Sequence, residues 1–217
     1  MSLRNLLKEP IRVLLSRHGQ AFCNLPEEER QGIHSYIPGE NDALTPQGEE
    51  EAVILGNFLN TYHISPENPS CSDVVIATSA ESRSRETGEI VASRLVIPFC
   101  RIYSSPLFNE QMTKELCNLP KEPTVEEFRR YLGFPTNRQV HNVVSSELEY
   151  IIKAHEPRLV VAVLHGNINA IFLKYAGLEP LAMGNCSLLP LKYREGRFEK
   201  AGDYLTNSQM KDFLDDR

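Results

Sequence analysis

Two histidines and two arginines stand where strand-like runs of apolar residues give out. Ile11 to Leu15 is a short, partly β-branched apolar run that reads as a buried strand. It stops at Ser16, and Arg17, His18 and Gly19 follow. The glycine allows a tight turn, so that both side chains before it project from the strand end. A guanidinium that never loses its charge, beside an imidazole, seats an oxyanion and sets a nucleophile or acid next to it. The pattern returns twice. Asp73 to Ala77 ends in Thr78-Ser79 with Arg83 a turn later, and the most apolar run, Leu159 to Leu164, ends in His165-Gly166-Asn167.

These side chains need elements to carry them. Thr45-Pro46-Gln47-Gly48 opens a helix that Thr45 caps, and Glu49 to Glu51 complement the positive end of its dipole. Ala52, Leu55, Phe58 and Leu59 give it one apolar face. A second helix is expected from about Ala80 to Leu95, carrying Arg83, Arg85 and Thr87, and Ser79, like Thr45, is assigned to capping. Val96 to Tyr103 reads as a third strand, placed at a sheet edge by Pro98, and Ser104 to Asn109 turns towards Glu110. Asn137 to His155 forms a long helix closed by Pro157, and the helix after His165 runs to about Tyr175, stopped by Gly177. Ser187 to Tyr193 and Arg197 to Ala201 pair as a hairpin across Glu195-Gly196, before a terminal helix from Asn207 to Asp216. Leu25 to Glu40 and Pro66 to Ser70 read as loop and turn. Gln111 to Thr136 is irregular and polar, with one short helix capped by Thr124 and Glu127.

Strands alternating with helices predict an α/β fold in three layers, a mainly parallel sheet with helices on both faces. With 217 residues, 41% hydrophobic and 24% charged, the chain has the size and composition of a single domain over 1–217, with an excursion at about 111–136. A net charge of −6 argues against nucleic acid or an anionic membrane as partner. It does not argue against a small phosphorylated substrate, whose field is set by local Arg and His. The five scattered cysteines lack C-x-x-C spacing and fit the reduced thiols of a cytoplasmic protein better than disulfides or a zinc site. The apolar run leading into Arg17 reads as a strand rather than a signal peptide, and no segment is long enough to span a bilayer.

In open parallel sheets, ligands sit beyond the carboxyl ends of the strands, near the point where strand order reverses. Such a topology delivers both histidines and both arginines to one rim. The order of motifs resembles that of the histidine phosphatase superfamily, the phosphoglycerate-mutase-like fold, from Ile11 to about Tyr193. Arg17-His18-Gly19 followed by Asn24 is similar to the family's R-H-G-x-x-x-x-N. Asp42 to Gly48 resembles D-x-x-L-T-x-x-G, and Thr78-Ser79 through Arg83 to Thr87 resembles T-S-x-x-x-R-x-x-x-T. Leu164-His165-Gly166 resembles the second histidine motif, and Asn109-Glu110 stands where such proteins carry an acidic residue.

The resemblance implies a phosphomonoesterase that works through a phosphohistidine. Phosphoryl transfer needs its charge balanced and its nucleophile in line. His18 would attack phosphorus through one ring nitrogen while the other donates to a backbone carbonyl, fixing the tautomer. Arg17 and Arg83 would hold phosphate oxygens with forked donors, and a protonated His165 would add a further one. Gln20, Asn24 and Asn167 are expected to bind the substrate. Glu110 would protonate the leaving alkoxide and later deprotonate water, since a facing phosphate dianion keeps a carboxyl protonated; Glu115 is the alternative acid. No metal is expected, because the sequence has no H-x-x-x-H or carboxylate cluster to hold one, and no cofactor. His34, His63, His141 and His155 read as structural or solvated.

A phosphatase is the first reading. The second is a cofactor-dependent phosphoglycerate mutase, which would require 2,3-bisphosphoglycerate. His165-Gly166-Asn167 resembles its H-G-N, but Glu110 to Leu116 lacks its E-R-H-Y-G-x-L-x-G stretch, leaving Lys114, Arg129, Arg130 and Arg138 as possible substitutes. The third is an inactive phospho-ligand-binding module, against which His18 and the candidate acid are both present. Each demands that the rings of His18 and His165 meet; the two enzymatic readings also demand that His18 reach solvent. Physiological substrate and oligomeric state have no signature in the sequence.

Overall fold

A computed structural model describes residues 10–29, 42–62, 74–95, 100–110 and 136–216. Along the chain these form β1 (Ile11–Arg17), α1 (Pro46–Tyr62), β2 (Val74–Ser79), α2 (Ser82–Arg94) and β3 (Cys100–Ser105). A 3-10 turn (Pro106–Phe108), α3 (Asn137–His155), β4 (Leu159–Leu164) and α4 (Gly166–Tyr175) follow. The hairpin β5 (Leu188–Arg194) and β6 (Arg197–Lys200) and the helix α5 (Asn207–Asp215) complete the described elements.

The strands make one sheet in the order β3-β2-β4-β1-β5-β6. The first four are mutually parallel, whereas β5 runs antiparallel to β1 and β6 to β5. Strand side chains alternate between faces, and here both faces are covered. Leu14, Ile76, Val161 and Val163 pack with Ala52, Leu55, Phe58 and Leu59 of α1, Val91 of α2 and Met210 of α5. Val13, Leu15, Val75, Val160 and Ala162 pack with Val140, Val144 and Leu148 of α3 and Ile168 and Phe172 of α4. This two-sided burial explains why the parallel strands read as unbroken apolar runs. The result is the mixed α/β, three-layer fold.

Strand order prepares the site. β4 lies between β1 and β2, yet α4 packs on one face of the sheet while α1 and α2 pack on the other. Chain leaving β4 therefore diverges from its neighbours on both sides, which opens a crevice beyond the strand ends.

Several boundaries differ from expectation. β1 continues past its apolar run because Ser16 and Arg17 still pair with Val163 and Leu164 of β4. α2 begins at Ser82, two residues later than expected. α3 has the expected span, capped by a Thr136–Gln139 box and ended by Glu156 at φ 45° just before Pro157. Among the described strands β3 lies at the edge of the sheet, as expected, although Pro98 lies outside the described residues. So do most of the first loop (30–41), the turn at 66–70 and nearly all of the polar excursion (111–135), with the Thr124 cap, Glu115, Lys114, Arg129 and Arg130. Among the described residues, no helix is long and apolar enough to cross a membrane.

Candidate active site

Four chain segments bring their polar ends together. Arg17 ends β1 and His18 follows it; Ser79 ends β2; Glu110 lies just past the 3-10 turn after β3; and His165 follows β4. Arg83 reaches in from the first turn of α2 and is fully buried. The rings of His18 and His165 meet edge-on, with centroids 5.1 Å apart.

Arg83 is the hub. Its Nε donates to His18 Nε2 at 3.2 Å and its Nη1 to Asp42 Oδ2 at 3.1 Å. Its Nη2 faces Glu110 Oε2 at 2.8 Å, His165 Nδ1 at 3.3 Å, and Glu81 Oε2 in a close ion pair. Burial by itself lowers the Arg83 pKa, but Glu81 first, then Cys23, Glu110 and Asp42, together outweigh it and hold the group above its ordinary value.

Because a guanidinium can only donate, it dictates both tautomers. The His18 Nε2 facing Arg83 must carry a lone pair, so the proton sits on Nδ1, which donates to the Gly19 carbonyl at 2.6 Å. This is the backbone contact expected of the nucleophile. By the same logic His165 presents a lone pair to Arg83 and donates from Nε2 to Ser79 Oγ at 2.7 Å. Arg83 Nη2 thus already faces His165 Nδ1. For Ser79 the expectation is corrected. The N-cap of α2 is Glu81, and the Ser79 hydroxyl instead accepts the Glu81 N–H at 3.2 Å and orients His165.

His18 is only 1% exposed. The expectation that His18 reaches solvent is thus not met: the ring is buried, with Arg83 lying on its Nε2. An anion could reach that nitrogen only by taking over the Arg83 N–H groups. Arg17 offers a second place for an anion. Its Nη1 donates to the Met183 carbonyl at 3.2 Å, while its Nε is buried without a hydrogen-bond partner among the described residues. That nitrogen would lie 3.5 Å from a Cβ placed on Gly166, the first residue of α4. Helix N-terminus and guanidinium together favour an anion there.

Gly19 serves a different purpose from the one expected. It does not adopt a positive φ. A Cβ at position 19 would come within 2.4 Å of the Gly48 carbonyl oxygen, and one at 48 within 2.0 Å of the Gln20 carbonyl oxygen. The two glycines let the histidine loop lie directly on the start of α1. Thr45 caps that helix as expected, accepting the Gly48 N–H at 3.1 Å. Thr87 links the loop to α2, accepting the Gly19 N–H at 3.0 Å and donating to the Arg83 carbonyl.

The expected substrate-binding residues divide. Asn167, on the first turn of α4, approaches Glu110 Oε1 at 3.5 Å. Gln20 turns its side-chain oxygen to the Thr45 hydroxyl at 2.8 Å, tying the loop to α1 rather than joining the imidazoles. Asn24 is exposed at the end of a short 3-10 turn (Phe22–Asn24) and is not drawn into the cluster. His141 and His155 lie on α3, the former stacked on Phe172.

Two contributors went unassigned in the sequence. Asp42 lies in a motif quoted above, without a role given to it. Glu81 reads as one more acidic residue of a charged helix. With Glu110 and His165 it also forms a set whose ligating atoms lie within 4.8 Å of one another, the carboxylate cluster that the sequence did not reveal. The Arg83 guanidinium pairs with both carboxylates of this set, so the protein itself supplies one positive charge to it.

The comparisons agree with this geometry. The family model for the histidine phosphatase superfamily (branch 1) matches residues 13–202. No curated protein matches the chain significantly. Among solved structures, the protein histidine phosphatase SixA complexed with tungstate is 14% identical, with a TM-score of 0.59 over 92% of this chain and 99% of that one. Alpha-ribazole phosphatase from Shigella flexneri is 15% identical, with a TM-score of 0.56 over 92% and 97%. A phosphoglycerate mutase from Bacillus anthracis is 15% identical, with a TM-score of 0.61 over 93% and 95%. At such identities these neighbours establish a shared fold.

Proposed function

Because this chain belongs to the histidine phosphatase superfamily (branch 1), we propose that it hydrolyses a small phosphomonoester through a phosphohistidine on His18. The observation that carries this reading is the His18 ring, whose Nδ1 proton is held by the Gly19 carbonyl and whose Nε2 lone pair points at Arg83. In the first step that lone pair forms the N–P bond as the P–O bond to the alcohol breaks, and Glu110 gives its proton to the departing oxygen. In the second, a water oxygen bonds phosphorus, the N–P bond breaks, and Glu110 takes the proton of water, releasing inorganic phosphate. Arg17, Arg83 and His165 bind the equatorial oxygens, whose charge they balance. No metal or cofactor has a step in this scheme.

His18→Ala is expected to abolish phosphate release from p-nitrophenyl phosphate, and with it the acid-labile phosphoenzyme, while the folded circular dichroism spectrum is kept. Turnover near wild type would sink the nucleophile assignment. Glu110→Gln should slow alkyl phosphates by on the order of 100-fold and p-nitrophenyl phosphate far less, because its leaving group barely needs a proton. Equal slowing would point to a different acid, with Glu115 the first candidate to test. A mutase remains the second reading, favoured by the Bacillus anthracis neighbour and by His165-Gly166-Asn167. Isomerisation of 3-phosphoglycerate in the presence of 2,3-bisphosphoglycerate, in place of phosphate release, would select it.

A further inference from the structure

Asn169 is a fully buried amide near the start of α4, between Ile168 and Phe172 of the core, and the proposed chemistry gives it no part. A polar side chain so deeply buried needs hydrogen-bond partners in place of its lost water. Its Nδ2 donates to the Ser16 carbonyl at 3.0 Å and lies 3.3 Å from Met183 Sδ. Because a carbonyl only accepts, the Ser16 contact fixes which end of the amide is nitrogen. The backbone N–H of Asn169 donates to the His165 carbonyl at 2.9 Å. One residue thus ties together the end of β1, the start of α4 and the loop after α4.

All three segments bear on Arg17. Ser16 precedes it in the chain. Met183, whose thioether faces the amide, is also the residue whose carbonyl accepts from Arg17 Nη1 at 3.2 Å. Gly166 lies about one helical turn before Asn169, and a Cβ placed on it would stand 3.5 Å from Arg17 Nε. The guanidinium therefore sits in a slot, with α4 on one side and Met183 on the other. Asn169 joins both sides to the root of the arginine. The loop is pinned further by Gly184 N–H, which donates to the Tyr204 hydroxyl at 2.9 Å, and by Cys186 N–H, which donates to the Arg17 carbonyl at 3.0 Å.

We propose that Asn169 is a positioning residue for Arg17, setting the slot in which this guanidinium meets the oxygens of a phosphoryl group. This rests on the phosphatase reading, with Arg17 among the ligands of phosphate, and deepens it. Nη1 is taken by Met183 and Nε has no hydrogen-bond partner among the described residues, so the aim of the guanidinium depends on where Met183 stands. Asn169 fixes that place. A planar, forked donor gives its full strength to an oxyanion only when its plane is aimed. A loosened slot therefore weakens the hold on phosphate and leaves the departing oxygen untouched.

A double-mutant cycle on kcat/KM for p-nitrophenyl phosphate tests this, with inorganic phosphate as competitive inhibitor. Asn169→Leu keeps the branched shape and donates nothing. It should lower kcat/KM by about 10-fold and raise the inhibition constant of phosphate by a like factor. Arg17→Met should lower kcat/KM by on the order of 100-fold. The double variant should fall no lower than Arg17→Met alone, because Asn169 acts through the arginine. Asn169→Leu should also slow an alkyl phosphate and p-nitrophenyl phosphate by the same factor, since Arg17 holds the equatorial oxygens and not the leaving one. A merely structural amide would make the two losses multiply, or would disturb the Glu110 end of the site and slow the alkyl ester more. Either result, or an unchanged inhibition constant in Asn169→Leu, overturns the proposal and leaves the phosphatase reading standing. A wild-type chain that neither hydrolyses p-nitrophenyl phosphate nor binds phosphate in a calorimetric titration brings down the phosphatase reading, and the proposal with it. Should Asn169→Leu fail to fold, the assigned side-chain amide resonances of Asn169 in the wild-type chain decide. Saturating phosphate must shift them, and resonances that stay in place reject the proposal.

Discussion

Arg83 commits all three of its nitrogens to two imidazoles and three carboxylates. Lysine has the charge but a single nitrogen, so Arg83→Lys should lower kcat/KM for p-nitrophenyl phosphate by on the order of 100-fold, measured by steady-state assay. Removing the charge altogether is worse for the fold. Arg83→Met leaves Asp42, Glu81 and Glu110 buried without their counter-charge, at a cost of about 3–5 kcal/mol, read from the urea midpoint. An unchanged midpoint would mean that these carboxylates find protons or solvent instead. His18, His165 and Arg83 were legible in the sequence because each follows an apolar run at the place where parallel strands present ligands. Glu81 was not. An acidic residue at the start of a helix is ordinary dipole chemistry, and Arg85, Glu86 and Glu89 beside it make the whole stretch look solvated. Its partner Glu110 arrives from another strand, and no spacing within one helix encodes that meeting.

Among the elements, the β5–β6 hairpin shows how local chemistry and fold agree. Its two-residue turn places Glu195 at φ 52° and Gly196 at φ 80°, the left-handed pair of a type I′ turn. Glycine adopts this at no cost, whereas glutamate is strained there, so Glu195→Asn should stabilise the protein by about 1 kcal/mol, measured as a raised thermal midpoint. A lowered midpoint would show that the Glu195 side chain has a compensating role. The hairpin was legible from Glu195-Gly196 itself, as was α1 from Thr45-Pro46 and its apolar face. The end of β1 was not, because hydropathy stops at Leu15 while backbone pairing carries on through Arg17. Ser16 is buried and Arg17 half-buried at that end, so composition signals a strand end before the ladder has one. Position 19 was misread for a related reason. A glycine demanded by a neighbouring backbone, here Gly48, looks in sequence like a glycine demanded by a turn.

At the scale of the molecule, the site exists only because one sheet gathers segments far apart in the chain. β2 finds β3 beside it from the same half. β1 does not: both of its neighbours, β4 and β5, come from residues 159 onward. Pairings of such long range are formed late and slowly. A nascent chain that has emerged only as far as Phe108 therefore holds His18 on a strand whose partners among the described residues have not yet been made, and lacks His165. Split between Glu110 and Gln111, the two fragments should each release no phosphate. Mixed, they should regain turnover only as fast as β4 and β5 of the second piece close around β1 of the first, which a stopped assay at increasing fragment concentration would follow. The proposed activity thus waits until β4 and β5 have emerged to flank β1.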